Sequence, residues 1–337
     1  MTNPIRPPRI HDVAQLAGVS VATVSRVISN PGIVAQPTRE AVEAAIAATG
    51  YTVNLTARNL RQQQVGGVLA LVPKLANPFF SEILSGISDV LRREGLSLLV
   101  VDTTAVPHQP ARTALASYLS RSRSDGVIVL DGSLDAALFA VPGCPPVVQA
   151  CEWNEALQAP RVLADNAAGG RLAARHLTGL GHRRILHLTG PEANTLTIER
   201  RRGFLDGLAE AGLDAADSPE MTGDFSIASG HAAAARILAL EDRPTAVFCD
   251  NDEMAIGLMT GLIRAGLDVP GDISVMGFDN IEMSAYCVPA LTTIRQHRAR
   301  LGRRAAEVLL SRMRGEDVEG ITMLDVELQA RTSTGRA

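Results

Sequence analysis

Asp12-Val13-Ala14-Gln15-Leu16-Ala17-Gly18-Val19-Ser20-Val21-Ala22-Thr23-Val24-Ser25-Arg26-Val27 lies within the stretch Arg9 to Leu60 and decides how the chain begins to fold. Val13, Leu16 and Ala17 recur at helical spacing, so Ile10 to Ala17 reads as a short amphipathic helix. Gly18 supplies the turn, since glycine alone enters a left-handed conformation without steric cost. Ser20 stands where an N-cap belongs, with its hydroxyl available to the amides of the next turn. Val24, Val27 and Ile28 give the second helix an inward face. Val21, Ala22, Ser25 and Arg26 leave small groups and one long cation on the other face. Two short helices around a tight turn, the second with a reading face, make a helix-turn-helix. A third helix is expected with Thr38 as its cap, Val42, Ala45 and Ile46 as its apolar stripe, and Gly50 past its end. The alternative is a three-helix cap that binds nothing or meets only protein. The agreement of turn, cap and face weighs against it.

Working outward, 337 residues exceed one ordinary domain, and 46% hydrophobic content can bury a sizeable core. The formal charge of −4 hides an asymmetry. Residues 1–61 hold six arginines against Asp12, Glu40 and Glu43, a balance of +3 that leaves −7 for the rest. A basic head on an acidic body is what a DNA-reading piece on a soluble sensor looks like. Lys74 is the only lysine, which we read as genome composition. Cys144, Cys151, Cys249 and Cys287 lack CxxC spacing and suit reduced thiols in a cytosolic protein. The N-terminus has no apolar signal region, and no run approaches 18 apolar residues, so neither export nor a membrane is expected.

After the polar join Arg61-Gln62-Gln63-Gln64 the pattern becomes strands of about five residues alternating with helices. Strands are expected at Val68–Val72, Leu96–Val101, Gly126–Leu130, 146–148, 161–163, 185–188, 246–249 and 273–276. Helices are expected at 79–94, about 112–122, 167–178, 199–211, 229–240 and 254–264. This rhythm predicts an α/β body of two doubly wound parallel sheets, with ligand groups at the carboxyl ends of the strands. The tail holds a strand at 291–294, a helix at 296–313 and a strand at 321–328.

Asp12 to Val27, together with Tyr51 and Asn54-Leu55-Thr56-Ala57-Arg58-Asn59-Leu60, resembles the headpiece and hinge of the lactose-repressor (LacI/GalR) family. The resemblance runs from about Arg9 to Thr334. It implies a headpiece at 1–53 and a hinge helix with linker at 54–64. It further implies a periplasmic-binding-protein-like core, with 65–165 and 293–320 in the first lobe and 166–292 and 321–337 in the second. Arg26 is the candidate for bidentate contact with a guanine, and Val21 and Ala22 for contact with a thymine methyl, with Ser25 beside them. By resemblance these are specificity positions; the competing reading of Val21 and Ala22 is plain surface helix. Arg9, Ser20, Thr23 and Asn30 suit phosphate contacts that fix register. In the family the counterpart of Asn54 to Arg61 folds on DNA and pairs with its dimer mate in the minor groove. Leu60 would then be the apolar wedge and Ala57 the point of close approach, although Leu60 also fits an ordinary linker. Val53 departs from the proline of many relatives.

Phe79 and Phe80 follow the first strand, where aromatic faces can stack on a sugar or base ring, or simply pack in the core. Matching the family adds Asp131, Cys151, Asn194, Leu196, Phe225, Asn251, Asp279 and Gln296 as cleft candidates. Relatives often carry a carboxylate at the position of Cys151, and many place an arginine in the 194–198 loop that is missing here. Arg200 fits a family Arg-x-x-Gly-Phe pattern, with Gly203 and Phe204, and equally fits a brace for its helix. No nucleotide fingerprint, P-loop or nucleophile elbow appears, and His176, His182 and His187 are scattered. The expectation is therefore a non-enzymatic transcription regulator, a repressor of a carbohydrate or related catabolic operon without cofactor. Its partners would be palindromic operator DNA, a sugar-like effector in the cleft and a second copy of itself. With no heptad-patterned helix before Ala337, a dimer is expected rather than a tetramer. The rival is a solute-binding receptor of the same two-lobe architecture, which would call for a signal peptide and no DNA head. A sugar-processing enzyme, with no catalytic constellation to support it, is a weaker third.

Overall fold

The computed structural model describes residues 8–52, 64–104, 111–214, 216 and 218–337, with side chains excepted at 111–114. Two units, Met1–Gln64 and Val65–Ala337, divide the chain.

The first unit holds helices α1 (Ile10–Ala17), α2 (Val21–Ser29) and α3 (Gln36–Thr49) around Val13, Ala14, Val24, Val27, Val42 and Ala45. Gly18 has φ +67 and ends α1, and the Ser20 hydroxyl accepts from the Thr23 amide at 3.1 Å. Two expectations are corrected. Leu16 is 58% exposed, because Val13 and Ala14 form the buried stripe of this two-turn helix. Thr38 does not cap α3. That helix starts at Gln36, where Pro37 supplies a preset φ and needs no amide partner.

The second unit carries two six-stranded sheets. The first is built from β1 (Gly67–Val72), β2 (Ser97–Asp102), β3 (Gly126–Val129), β4 (Val147–Ala150), β5 (Arg161–Ala164) and β11 (Ile321–Leu324), in the order β11-β5-β4-β3-β1-β2 and parallel throughout. The second is built from β6 (Ile185–Thr189), β7 (Glu220–Thr222), β8 (Ala246–Cys249), β9 (Ser274–Asp279), β10 (Thr292–Gln296) and β12 (Val326–Gln329), in the order β12-β10-β9-β8-β6-β7. It is parallel except at its β12 edge. Both faces of the central strands are covered. Val68 and Val72 pack under one helical layer while Leu69 and Leu71 pack under the other, which is why these strands read as unbroken apolar runs.

The covering helices are α4 (Phe79–Arg93), α5 (Ala111–Tyr118), α6 (Asn166–Gly179), α7 (Thr195–Glu210), α8 (Ile227–Leu238), α9 (Asp252–Arg264) and α11 (Arg298–Met313), with a single turn α10 (Met283–Tyr286). Three helix pairs cross through reciprocal glycines: Gly86 with Gly302, Gly170 with Gly203, and Gly230 with Gly257. A Cβ at any of the six would collide with backbone of the facing helix. Gly203→Ala is therefore expected to cost about 1–3 kcal/mol by overpacking α7 against the Ala167 carbonyl, read as a lower midpoint in urea. Gly50→Ala, whose φ of +65 places its strain in the first unit, is expected to leave the second unit's midpoint unchanged in the same experiment.

The tail corrects the expected lobe boundaries. Thr292–Gln296 stays in the second sheet beside β9, so residues 293–296 do not belong to the first lobe. The chain crosses after His297 into α11, which lies against β3, β4 and α4. The expected single strand 321–328 is two strands divided at Asp325. Ile321–Leu324 completes the first sheet and Val326–Gln329 edges the second.

Candidate functional site

In the first unit, α2 presents Val21 (36% exposed), Ala22 and Arg26 to solvent with Ser25 half-buried beside them. Arg26 has no ion-pair partner among the described residues. Its guanidinium is therefore free to meet a base edge. Ser20 and Thr23 join hydroxyls at 2.9 Å at the start of α2, and the exposed Asn30 closes its end by donating its backbone N–H to the Arg26 carbonyl at 2.7 Å. Arg9 is the exposed residue before α1, and its amide donates to Asp12 at 2.7 Å. The expected hinge positions Asn54, Ala57 and Leu60 lie outside the described residues.

In the second unit, a cavity of about 450 Å³ opens between the two sheets at the carboxyl ends of their strands. Eight of the ten expected cleft residues line it: Phe79, Phe80, Asp131, Asn194, Leu196, Phe225, Asn251 and Asp279. Phe79 and Phe80 meet edge to face at 5.1 Å and are both 5% exposed, so they wall the cavity and pack in the core at once. Asp131 accepts from the Thr103 hydroxyl and from the Ser133 amide and hydroxyl, which fixes its carboxylate at the end of β3. Asn194 and Asn251 cap α7 and α9 through the Leu196 and Met254 amides. The Asn251 amide group also donates to the Phe225 carbonyl at 2.9 Å.

The other two candidates sit behind the wall, and their assignment is corrected. Cys151 has φ +68, a conformation that turns its side chain into the core of the first lobe, where burial pushes the thiol well above its ordinary range. Gln296 donates its amide to Asp279 Oδ1 at 2.7 Å and so positions a lining residue without lining the cavity.

Sequence reasoning missed Lys74, Glu152, Trp153 and Asp224. Glu152 and Trp153 follow β4 at its carboxyl end, so the strand-end logic that found Phe79 would have found them. Glu152 is 8% exposed; its Oε2 accepts from the Gly132 amide at 3.2 Å. Burial raises its carboxyl to about 7, opposed by the Gly132 amide and reinforced by the charge of Asp131. Asp279 is raised to about 6 by burial, with the cations Arg200 and Arg298 holding it down.

Arg200 lines the cavity floor yet is 1% exposed. Its Nε donates to Asn166 Oδ1 at 2.9 Å and Nη1 to the Asp250 carbonyl. Nη2 lies 3.4 Å from Asp279 Oδ1, and the guanidinium stacks 3.9 Å from the Phe278 ring. These contacts tie α6 to the ends of β8 and β9 at the cavity floor. The non-glycine residues with positive φ among those described are Cys151, Phe225, Asp279 and Asn280. Three of them follow or end strands at the cavity. Backbone strain gathers where side chains must be aimed.

His187 lies in the core of the second lobe between Phe204 and Phe248, with Nε2 2.8 Å from Asp250 Oδ1. Among the described residues no group of three or more His, Cys, Asp or Glu could hold a metal ion, and no helix is long and apolar enough to cross a membrane.

Residues 9–54 match the family model described as bacterial regulatory proteins, lacI family, and residues 174–334 match a periplasmic binding protein-like domain. The HTH-type transcriptional repressor CytR of Escherichia coli (strain K12) is 38% identical over 326 residues, which is 96% of this chain and 95% of that protein. The lac repressor dimer bound to operator and the anti-inducer ONPF superposes with a TM-score of 0.82 at 32% identity, covering 98% of this chain and all of that one. The transcriptional regulator CelR in complex with cellobiose gives a TM-score of 0.73 at 30% identity, covering 97% of this chain and 99% of that one.

Proposed function

We propose a specific operator-and-effector reading for this chain, which belongs to the lacI family of bacterial regulatory proteins. It is a ligand-responsive, DNA-binding transcription regulator. In our reading it acts in the cytoplasm as a repressor of a carbohydrate or related catabolic operon. Two copies bind a palindromic operator, and the effector occupies the cavity between the lobes. The observation that carries this is the joint occurrence of an exposed Val21-Ala22-Arg26 face and a cavity walled by both aromatics and carboxylates.

The cavity chemistry favours a neutral, hydroxylated ring. Phe79, Trp153 and Phe225 offer apolar faces, while Asp131, Glu152 and Asp279 accept hydrogen bonds from hydroxyls. Arg200 directs Nε, Nη1 and Nη2 at Asn166, Asp250 and Asp279 and is 1% exposed, so it is held in the cavity floor rather than extended toward an anionic ligand. CelR, bound to cellobiose, is a structural neighbour with a ligand of this kind. Effector binding that favours one lobe arrangement would shift operator affinity by a coupling of about 1–3 kcal/mol, and DNA would shift effector affinity equally.

In vitro selection of duplex DNA from a random pool, at one stated salt concentration, tests the reading. Enrichment of a palindrome with half-sites about one helical turn apart supports it. A folded protein that enriches nothing, with or without metabolite extract, overturns it. On the selected site, Arg26→Ala is expected to cost about 1–3 kcal/mol and to relax preference at one base pair per half-site. Unchanged site preference removes Arg26 from the reading face.

A further inference from the structure

Away from the effector cavity, a second pocket of about 180 Å³ lies where the chain crosses from β10 into α11. Its lining includes Arg295, His297, Arg298, Arg300 and Arg303, against the single carboxylate Glu82. Arg295 pairs outward with Glu327 at 3.0 Å and Arg300 with Asp325 at 2.9 Å. Arg303 is half-buried and pairs with no acid among the described residues.

The pocket also holds the N-terminus of α11, a 16-residue helix with no side chain capping its first amides. Such amides and the aligned peptide dipoles attract anions. Arg298 adds an independent sign. It is 4% exposed, with Nη1 on the Phe79 carbonyl at 3.3 Å and Nη2 on the Asn280 carbonyl at 3.0 Å and on Glu82 Oε1 at 3.2 Å, yet its buried Nε has no partner. Buried donors in native proteins are seldom left unpaired without a function or a bound ion.

We propose that this pocket is a binding site for a small oxyanion, either free phosphate or the phosphoryl group of a small metabolite. The anion is held by Arg303, the unpaired Arg298 Nε and the first amides of α11. Its place gives it a regulatory consequence. Arg298 grips Phe79 of the first lobe and Asn280 of the second, and Phe79 and Asp279, the neighbour of Asn280, line the effector cavity. An anion that repositions Arg298 changes how the lobes meet around the effector, so the two ligands are coupled.

The test uses the full chain, with inorganic phosphate titrated against potassium chloride at matched ionic strength and thermal unfolding as the readout. Wild type is expected to show a saturable rise in Tm with phosphate alone. Arg303→Ala, which removes a charged donor that pairs with no acid among the described residues, is expected to raise the half-saturating phosphate concentration about tenfold. A rise that chloride reproduces, or that Arg303→Ala leaves unchanged, means an adventitious ion only and overturns the proposal. If Arg303→Ala does not fold, phosphorus NMR of phosphate with wild type decides, since saturable line broadening that chloride does not abolish is required. Ribose 5-phosphate, with ribose as control, separates the two sources. Binding lost in Arg303→Ala and stronger than that of phosphate assigns a metabolite, and equal binding assigns the free ion. The phosphate titration and its Arg303→Ala comparison involve neither operator nor effector, so their failure leaves the repressor reading standing.

Discussion

Arg200→Ala is expected to lower the stability of the two-lobed unit by about 3–5 kcal/mol and to abolish effector binding at concentrations that saturate wild type. The guanidinium is buried, stacked on Phe278, and shared among α6 through Asn166, the end of β8 through the Asp250 carbonyl, and the end of β9 through Asp279. Its removal leaves Asn166 Oδ1 without its guanidinium donor and deprives Asp279 of a compensating cation. The raised carboxyl of Asp279 then moves higher, because the remaining opposing influences are Arg298 and Gln296. Urea unfolding followed through Trp153, the single tryptophan, reads the loss where it occurs, since that indole lines the cavity. Arg200→Met is the informative control, because it keeps the stem over Phe278 and removes the charge. A loss confined to Ala means the side chain acts by packing. A shared loss means the bracing bonds and the charge dominate.

The same residue shows how far the sequence could be read. Headpiece helices announced themselves because each signal was local. Gly18 turns within one residue, and Ser20 caps an amide three residues away. The alternation of strands and helices is legible for the same reason, as is the strand end that puts Phe79 at the cavity, whereas Asp131 and Asp279 enter through the family resemblance. What was hidden depends on contacts distant in the chain or on backbone geometry. The partners of Arg200 lie 34, 50 and 79 residues away, so its place on the cavity floor could not be inferred from its helix. The family match makes Cys151 a cleft candidate, but its positive φ accompanies a thiol in the core, and Glu152 and Trp153 line the ligand space instead. The sheet to which residues 292–296 belong was likewise decided by pairing with β9, which their composition does not record.

Glu152→Gln is expected to change the pH dependence of the protein more than its fold. With its carboxyl raised to about 7 from an unfolded value of 4.5, folded Glu152 keeps a proton that the unfolded chain has already released. Between those values the folded state binds more protons, so this group makes stability fall as pH rises, by roughly 3 kcal/mol once pH exceeds 7. Asp279, raised to about 6 from 3.8, adds a fall of the same sign in a lower window. Glutamine keeps the shape but has no charge to desolvate. The variant should therefore match wild type near pH 4.5 and exceed it in stability at pH 8, with the effector absent. Binding should respond in the opposite direction. A ligand hydroxyl donates more strongly to the ionised carboxylate, so wild-type affinity for a hydroxylated ring should rise about tenfold from pH 6 to pH 8. The rise should be largely lost in Glu152→Gln, with what remains belonging to Asp279. Trp153 fluorescence at the two pH values measures both effects in one protein. Superimposable pH profiles for wild type and variant would show that Glu152 does not titrate in the cavity, and the ligand's hydroxyl partner would then have to be sought at Asp131 or Asp279.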